Sequence, residues 1–153
     1  MEQKYLISIV NKQKIDNDVE EITLTTEGTY ATKDGKRYIM YREFEQDGQK
    51  GQASTLKVDN TGDEKVVSLI RHDPRSGKTN LVLQENKRHL CQYGTTFGCL
   101  TLGVYTSKIT DNLTDEGGSI YIEYTLDINT NLSSYNAITV TVKKIDDPDA
   151  IVS

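Results

Sequence analysis

The sequence contains no tryptophan, and only two phenylalanines, two cysteines and two histidines among its 153 residues. Two histidines with scattered carboxylates do not give the ligand spacing of a zinc site. The chain also has no Gly-rich phosphate loop, no dinucleotide fingerprint and no glycine-flanked nucleophile. We therefore expect no metal and no cofactor. A chain of this length can bury a core without disulfides, and we expect Cys91 and Cys99 to be reduced.

Long apolar runs and excess positive charge are missing as well. No stretch approaches the roughly 18 consecutive apolar residues of a membrane helix, and the acidic, alternating N-terminus does not resemble a signal peptide. The net charge is −5, and the basic residues cluster only in two short stretches, RHDPR (71–75) and NKRH (86–89). Nucleic-acid binding normally requires a basic surface. These features predict a cytoplasmic protein that binds neither membrane nor nucleic acid.

What the chain does contain is alternation of apolar and polar residues. Only 35% of the residues are hydrophobic and nine are tyrosines. This composition suits strands with one buried face and one solvent-exposed face. About ten short strands follow one another, separated by turn signals roughly every 8 to 15 residues. We predict an all-β fold in which residues 1–153 form one domain. Its architecture would be a single antiparallel, up-and-down β-barrel of about 8–10 strands, calycin- or lipocalin-like.

The clearest strands lie in the second half of the chain. One predicted face contains Ile120, Ile122, Tyr124, Leu126 and Ile128. A second contains Ile138, Val140 and Val142, and a third contains Leu100, Leu102 and Val104. KDGK (33–36) predicts a tight hairpin, since Asp-Gly accommodates positive φ. TDNLTDEGG (110–118) permits one short helical turn, and NTNLSSYN (129–136) reads as a connection.

The stretch QYGTTFG (92–98) predicts an aromatic-flanked turn. With its centre near Thr95, Tyr93 would oppose Phe97 and Cys91 would oppose Cys99. This interpretation makes the stretch a structural device that fixes the register of two strands. The alternative is that the turn presents Thr95 or Thr96 at the mouth of the barrel.

Three segments together resemble a known family. They are TTEGTYATKDGKRYIMYREFE, VVSLIRHDPRSGKTNLVLQE and YGTTFGCLTLGVYTSKITDNLTDEGGSIYIEYTLDI. The chain resembles the YwiB-like β-barrels, a small bacterial family of uncharacterised proteins with a calycin- or lipocalin-like fold. The matching positions are Gly28, Tyr41, Glu43, Arg71, Tyr93 to Gly98, Gly118 and Tyr124. The sequence departs from the family pattern after Arg71, where HDPRSG replaces a direct glycine. The resemblance implies the fold and no particular activity.

Polar residues on apolar faces are the candidate functional residues. Arg71 shares a face with Val67 and Leu69, and Glu43 shares one with Ile39 and Tyr41. Two charges that both point inward must pair, because an isolated buried charge is costly. Alternation does not decide the direction of Glu43, because the residues on the opposite face of the same strand are equally apolar.

The polar residues lead to two hypotheses about the interior. In the first, Arg71 holds an anionic or polar head group in a cavity, while Tyr41, Tyr93 and Tyr124 line the wall. In the second, Arg71 and Glu43 lie at solvent-exposed strand ends, where they are solvated or form a structural ion pair.

The sequence therefore favours a non-enzymatic module that binds a small, partly apolar or anionic molecule. The predicted ligand-binding residues are Tyr41, Glu43, Arg71, Tyr93, Thr96 and Tyr124. One alternative is an interaction or assembly barrel with a filled interior, in the simplest form a homodimer that uses outer tyrosines such as Tyr105 and Tyr121. A less favoured alternative is a hydrolase or isomerase that uses Glu43. The position of the large side chains distinguishes a cavity from a filled interior.

Overall fold

In a computed structural model of the chain, ten antiparallel strands close into a barrel. The structure describes residues 3–44, 50–74 and 77–145, without the side chains of residues 43, 44 and 50. The strands are β1 (Tyr5–Ile15), β2 (Asp18–Lys33), β3 (Lys36–Phe44), β4 (Lys50–Asp59), β5 (Val66–Asp73), β6 (Gly77–Leu83), β7 (Arg88–Thr95), β8 (Gly98–Thr114), β9 (Gly117–Ile128) and β10 (Asn131–Lys144). In the part of the chain that is described, no helix is long and apolar enough to cross a bilayer.

The strand order confirms the predicted up-and-down barrel. Each strand pairs with its neighbours in sequence, and β1 pairs with β10, with Tyr5 opposite Lys144 and Lys14 opposite Tyr135. This closure gives the sheet no free edge strand, which protects it from pairing with another chain. The architecture is consistent with a calycin-like fold.

The barrel has two ends that differ in their side chains. In an up-and-down barrel, alternate connections lie at the same end. We call the end with the β1–β2, β3–β4, β5–β6, β7–β8 and β9–β10 connections the mouth end. At the opposite end, which we call the closed end, the rings of Tyr5 and Tyr30 pack edge to face with centroids 5.4 Å apart. The Tyr30 hydroxyl donates to the Thr114 carbonyl oxygen, and Arg37 pairs with Asp115 at 2.9 Å.

The core consists of the inward-facing residues, which alternate with outward-facing ones along each strand. The sequence correctly predicted the buried positions Ile120 and Ile122 in β9, whereas Ile128 at the mouth end of this strand is 43% exposed. Fully buried aliphatic side chains come from eight of the ten strands: Ile7, Ile39, Leu56, Val58, Val67, Leu81, Leu83, Val104, Ile120, Ile122 and Val140. A continuous aliphatic core of this kind is the main favourable contribution to the stability of the barrel.

Two predicted interruptions of the sheet are wrong. The helical turn proposed for residues 110–118 does not form, because β8 continues to Thr114 and the turn contains only residues 115 and 116. The Thr114 hydroxyl stabilises this turn, since its oxygen accepts from Glu116 N and its proton is donated to the Gly117 carbonyl. Residues 131–136, predicted as a connection, belong to β10, which leaves a turn at Asn129 and Thr130.

The predicted register of the β7–β8 hairpin is also wrong. Thr95 pairs with Gly98, so the turn contains Thr96 and Phe97. Tyr93 therefore lies opposite Leu100 rather than Phe97, and Phe97 is 99% exposed. The reason is local: the Thr95 hydroxyl accepts from Phe97 N at 3.1 Å and donates to the Gly98 carbonyl at 2.6 Å.

The two cysteines are free thiols that do not face each other. Cys91 is buried opposite Leu102, whereas Cys99 is exposed opposite Gly94. Burial raises the pKa of the Cys91 thiol, which disfavours the reactive thiolate. Cys91 therefore acts as a small core residue.

An ion pair on the outer face joins β7 to β9 across β8. Arg88 near the start of β7 donates to both carboxylate oxygens of Asp127 near the end of β9, at 3.0 and 2.6 Å. The pair passes over Gly103 of β8, where a Cβ atom would lie 2.3 Å from an Arg88 nitrogen. The Arg88 guanidinium lowers the pKa of Asp127. The NKRH stretch therefore supplies a structural arginine.

We predict that Gly98→Val destabilises the protein more than Thr96→Ala does. Gly98 has φ +117°, which a β-branched residue adopts only with strain, so the loss should be about 1–3 kcal/mol. The Thr96 side chain is exposed in the same turn, and its loss should change stability by no more than about 0.5 kcal/mol. Urea unfolding of both variants measures the difference, and the reverse ranking would contradict the assignment of the turn.

Candidate functional site

A row of inward-facing polar side chains crosses five neighbouring strands. In the register of β3 to β6, Tyr41 lies opposite Ser54, Ser54 opposite Arg71, and Arg71 opposite Thr79. Tyr93 continues the row on β7, where the adjacent Gly94 N donates to the Thr79 hydroxyl oxygen at 3.0 Å. Opposed residues in antiparallel strands share a face, so the register places all five on the inside of the barrel. We call Tyr41, Ser54, Arg71, Thr79 and Tyr93 the polar row.

The polar row borders a cavity in the mouth-end half of the barrel. We call this space, which has a volume of about 290 Å³, the main cavity; a more open pocket of about 330 Å³ lies at β1, β9 and β10 and includes Tyr124. It is lined by Ile9, Asn11, Gln13, Ile22, Leu24, Tyr41, Gln52, Arg71, Tyr93 and Ile138. Ile22, close to the β1–β2 turn, is 55% exposed, so the wall of the cavity reaches solvent at this end.

The two sides of the main cavity differ in chemistry. Strands β1, β2 and β10 contribute a mainly aliphatic wall formed by Ile9, Ile22, Leu24 and Ile138, which also contains the β1 amides Asn11 and Gln13. Strands β3, β4, β5 and β7 contribute a polar wall that contains Arg71 between tyrosines. A cavity with one apolar and one polar side suits a molecule that has both characters.

A smaller chamber lies next to the main cavity. It has a volume of about 120 Å³ and shares three lining residues with the main cavity, namely Gln52, Arg71 and Tyr93. Its other lining residues are Asp73, Gly77, Thr79 and Gly94. Arg71 therefore borders both spaces.

Several buried polar atoms in this region have no hydrogen-bond partner within the described residues. They include Arg71 Nε, Ser54 Oγ and Asn11 Oδ1. A buried polar group without a partner costs roughly 1–3 kcal/mol. Arg71 and Asn11 line the main cavity and Ser54 lies directly beside Arg71, so these unsatisfied groups lie in the part of the interior that surrounds the cavity.

Tyr124 lies within the electrostatic influence of this site, although it does not line the main cavity or the small chamber. Burial in β9 raises the pKa of Tyr124, and the positive charge of Arg71 opposes this shift. Negative charge on Tyr93 or Tyr41 would raise it further. Arg71 is therefore close enough to influence a buried tyrosine on the opposite side of the barrel.

The structure brings together most of the residues that the sequence singled out. Tyr41, Arg71 and Tyr93 line the main cavity, and Tyr124 is buried and senses the charge of Arg71. Thr96 is exposed in the β7–β8 turn and does not contribute to the lining of the main cavity or the small chamber. Glu43 belongs to β3, but its side chain lies outside the described residues.

Sequence reasoning missed several polar residues of the site, among them Asn11, Gln52 and Ser54. The signal was present, because alternation places Asn11 on the face of Ile7 and Ile9. In the same way, Gln52 and Ser54 continue the inward face of Leu56 and Val58. Polar residues that extend an apolar face toward one end of a strand mark the polar half of the interior.

We predict that Tyr124 makes the stability of the protein fall steeply at alkaline pH. Because the folded state raises the Tyr124 pKa, its contribution is fully present below about pH 10 and is lost as the pH rises toward the folded value. Relative to Tyr124→Phe, the free energy of unfolding of the wild type should fall by up to about 1.4 kcal/mol per pH unit in this range. Urea unfolding from pH 8 to pH 11 measures the difference between the two proteins, and a constant difference would contradict the prediction.

Comparison with known proteins identifies the family of the chain. A solved structure with the same fold, the crystal structure of ywiB protein from Bacillus subtilis, is 23% identical to the chain and gives a TM-score of 0.77. The likeness covers 94% of this chain and 92% of that one, and at this identity it shows the fold alone. No curated protein shows a significant match. The profile of the family described as Domain of unknown function (DUF1934) matches residues 7–140, so the chain belongs to this family, as its resemblance to the YwiB-like barrels predicted.

Proposed function

We propose that the protein is a non-enzymatic module that binds a small molecule in the main cavity. The observation that supports this most strongly is Arg71, whose buried Nε atom lacks a partner among the described residues on the wall of a cavity of about 290 Å³. The proposed ligand is partly apolar and carries a polar or anionic group. Tyr41 and Tyr93 line the wall beside the position of that group, and Tyr124 lies within the electrostatic influence of Arg71.

The size of the cavity limits the ligand. A volume of 290 Å³ corresponds to about ten water molecules in the liquid, near the lower end of small-molecule sites. This volume suits a ligand of about 10 to 15 non-hydrogen atoms. A coenzyme or a lipid with two long chains is too large.

The chemistry of the polar wall favours a ligand with negative charge. A guanidinium group remains charged at every physiological pH, and its planar donors match carboxylate and phosphate oxygens. Inside the barrel the low dielectric strengthens such a contact.

A binding role fits the described lining of the main cavity better than a catalytic one. Its polar side chains are an arginine, two tyrosines and three amides, none of which ordinarily titrates near neutral pH. General acid–base catalysis works best with a group whose pKa lies near the operating pH. We therefore assign these groups to recognition.

Native mass spectrometry of the protein, purified gently from its own host, tests the proposal. We predict a stoichiometric adduct of about 150–250 Da, consistent with the volume of the cavity. Leu24→Trp should abolish the adduct, because the indole ring fills the main cavity from its aliphatic wall.

The matched control is Thr23→Trp, which adds the same ring at an exposed position on the outer face of the same strand. This variant should keep the adduct. Bare masses for all three proteins, or an adduct that persists in Leu24→Trp, would contradict binding in the main cavity.

A further inference from the structure

We propose that the ligand is an amphipathic monocarboxylate whose carboxylate occupies the small chamber beside Arg71. This inference rests on the proposed function, since it names the chemical class that the same site selects. The small chamber forms a head-group subsite, and the aliphatic wall of the main cavity receives the apolar body of the ligand.

The size and lining of the small chamber suit a head group. Its 120 Å³ corresponds to about four water molecules, which is enough for a carboxylate and one or two waters but not for a ring or an alkyl chain. The lining contains polar side chains and glycine backbone, with Tyr93 as the only aromatic residue among those described. An apolar group gains little in such a space, whereas a charged group finds partners there.

The charge of the small chamber favours a single negative charge over two. Arg71 and Asp73 lie two residues apart on β5, so both point to the same face, and both line the chamber. A carboxylate brings one negative charge to Arg71. A phosphate monoester carries about −1.5 to −2 at neutral pH, and the one arginine that lines the small chamber neutralises that charge only in part.

Two hydroxyl groups next to Arg71 supply further donors. The Thr79 oxygen already accepts a hydrogen bond from Gly94 N, which leaves its own proton to be donated to an anion. Ser54 lies opposite Arg71 on β4, and its buried Oγ has no partner within the described residues. A carboxylate in the small chamber could therefore accept from the guanidinium and from the Thr79 hydroxyl, which both line it, while Ser54 lies directly beside Arg71.

The aliphatic wall sets the other half of the specificity. Ile9, Leu24 and Ile138 face the polar wall across the main cavity, with Ile22 toward the solvent side. About ten water volumes hold a chain of about eight carbons or one aromatic ring. Burial of that chain contributes affinity that is independent of the head group.

Four probes with one eight-carbon chain and different head groups test the class of ligand. We would titrate octanoate, octyl phosphate, octylamine and 1-octanol into the protein by calorimetry at pH 7.5. We expect octanoate to bind at least about tenfold more tightly than each of the other three. We also expect Arg71→Met to weaken octanoate binding at least about tenfold while changing octanol binding less than about threefold.

Two further variants control for folding and for general charge effects. Ser54→Ala removes only one hydroxyl, so it should fold normally and weaken octanoate severalfold without affecting octanol. Arg42→Met removes an arginine from the outer face of β3 and should leave octanoate binding unchanged. Retention of octanoate affinity in both Arg71→Met and Ser54→Ala would overturn the head-group subsite.

The possible failures of the two proposals are distinguishable. If octyl phosphate or octanol binds as tightly as octanoate, the monocarboxylate class is wrong while small-molecule binding stands. If none of the probes binds but the native protein carries an adduct that Leu24→Trp removes, the class is again wrong and the proposed function remains. If no probe binds and the native protein is bare, both proposals are overturned.

Discussion

The interior of this barrel depends on the cost of placing the charge of Arg71 inside a closed sheet. Once ten strands close, every second residue of each strand must point inward, and Arg71 follows Val67 and Leu69 on the inner face of β5. A buried guanidinium is stable only among groups that can accept its protons or interact with its charge. The other residues of the polar row, the amides and Tyr124 provide such groups in the part of the interior around Arg71.

The same constraint divides the barrel into two halves with different roles. In the closed-end half, aliphatic side chains fill the interior, and Tyr5 and Tyr30 cover it with an edge-to-face contact. This half supplies the burial that stabilises the fold. In the mouth-end half, polar residues replace aliphatic ones on one side of the interior, and the space between the walls is not filled. The stable half holds the walls of the cavity in place, so the site does not depend on its own packing for rigidity.

The sequence predicted the class of fold well because alternation is a local signal. The buried faces of β9 and β10 and the Asp-Gly hairpin before β3 all follow from neighbouring residues. The register of the β7–β8 hairpin was missed because the hydroxyl of Thr95 closes the turn, a contact that symmetry of the aromatic residues does not reveal. The helical turn allowed for residues 110–118 was wrong because the Thr114 hydroxyl closes the next hairpin in the same way.

The site was predictable only in part. Arg71 and the tyrosines were found because they interrupt or extend apolar faces, and Asn11 and Ser54 would have been found by following the same alternation to the end of each strand. The cavity itself was not predictable. Its volume depends on the stagger of the closed sheet and on side-chain directions on both walls, which are contributed by strands far apart in sequence.

A crystal structure of the purified protein, at a resolution that shows ordered water, is the most direct test of this account. The account predicts that the Arg71 guanidinium points into the barrel among Tyr41, Tyr93 and Tyr124. It also predicts a bound molecule or ordered water on its Nε atom. The account is contradicted if Arg71 instead turns out of the mouth into solvent and the tyrosines close over the space it leaves.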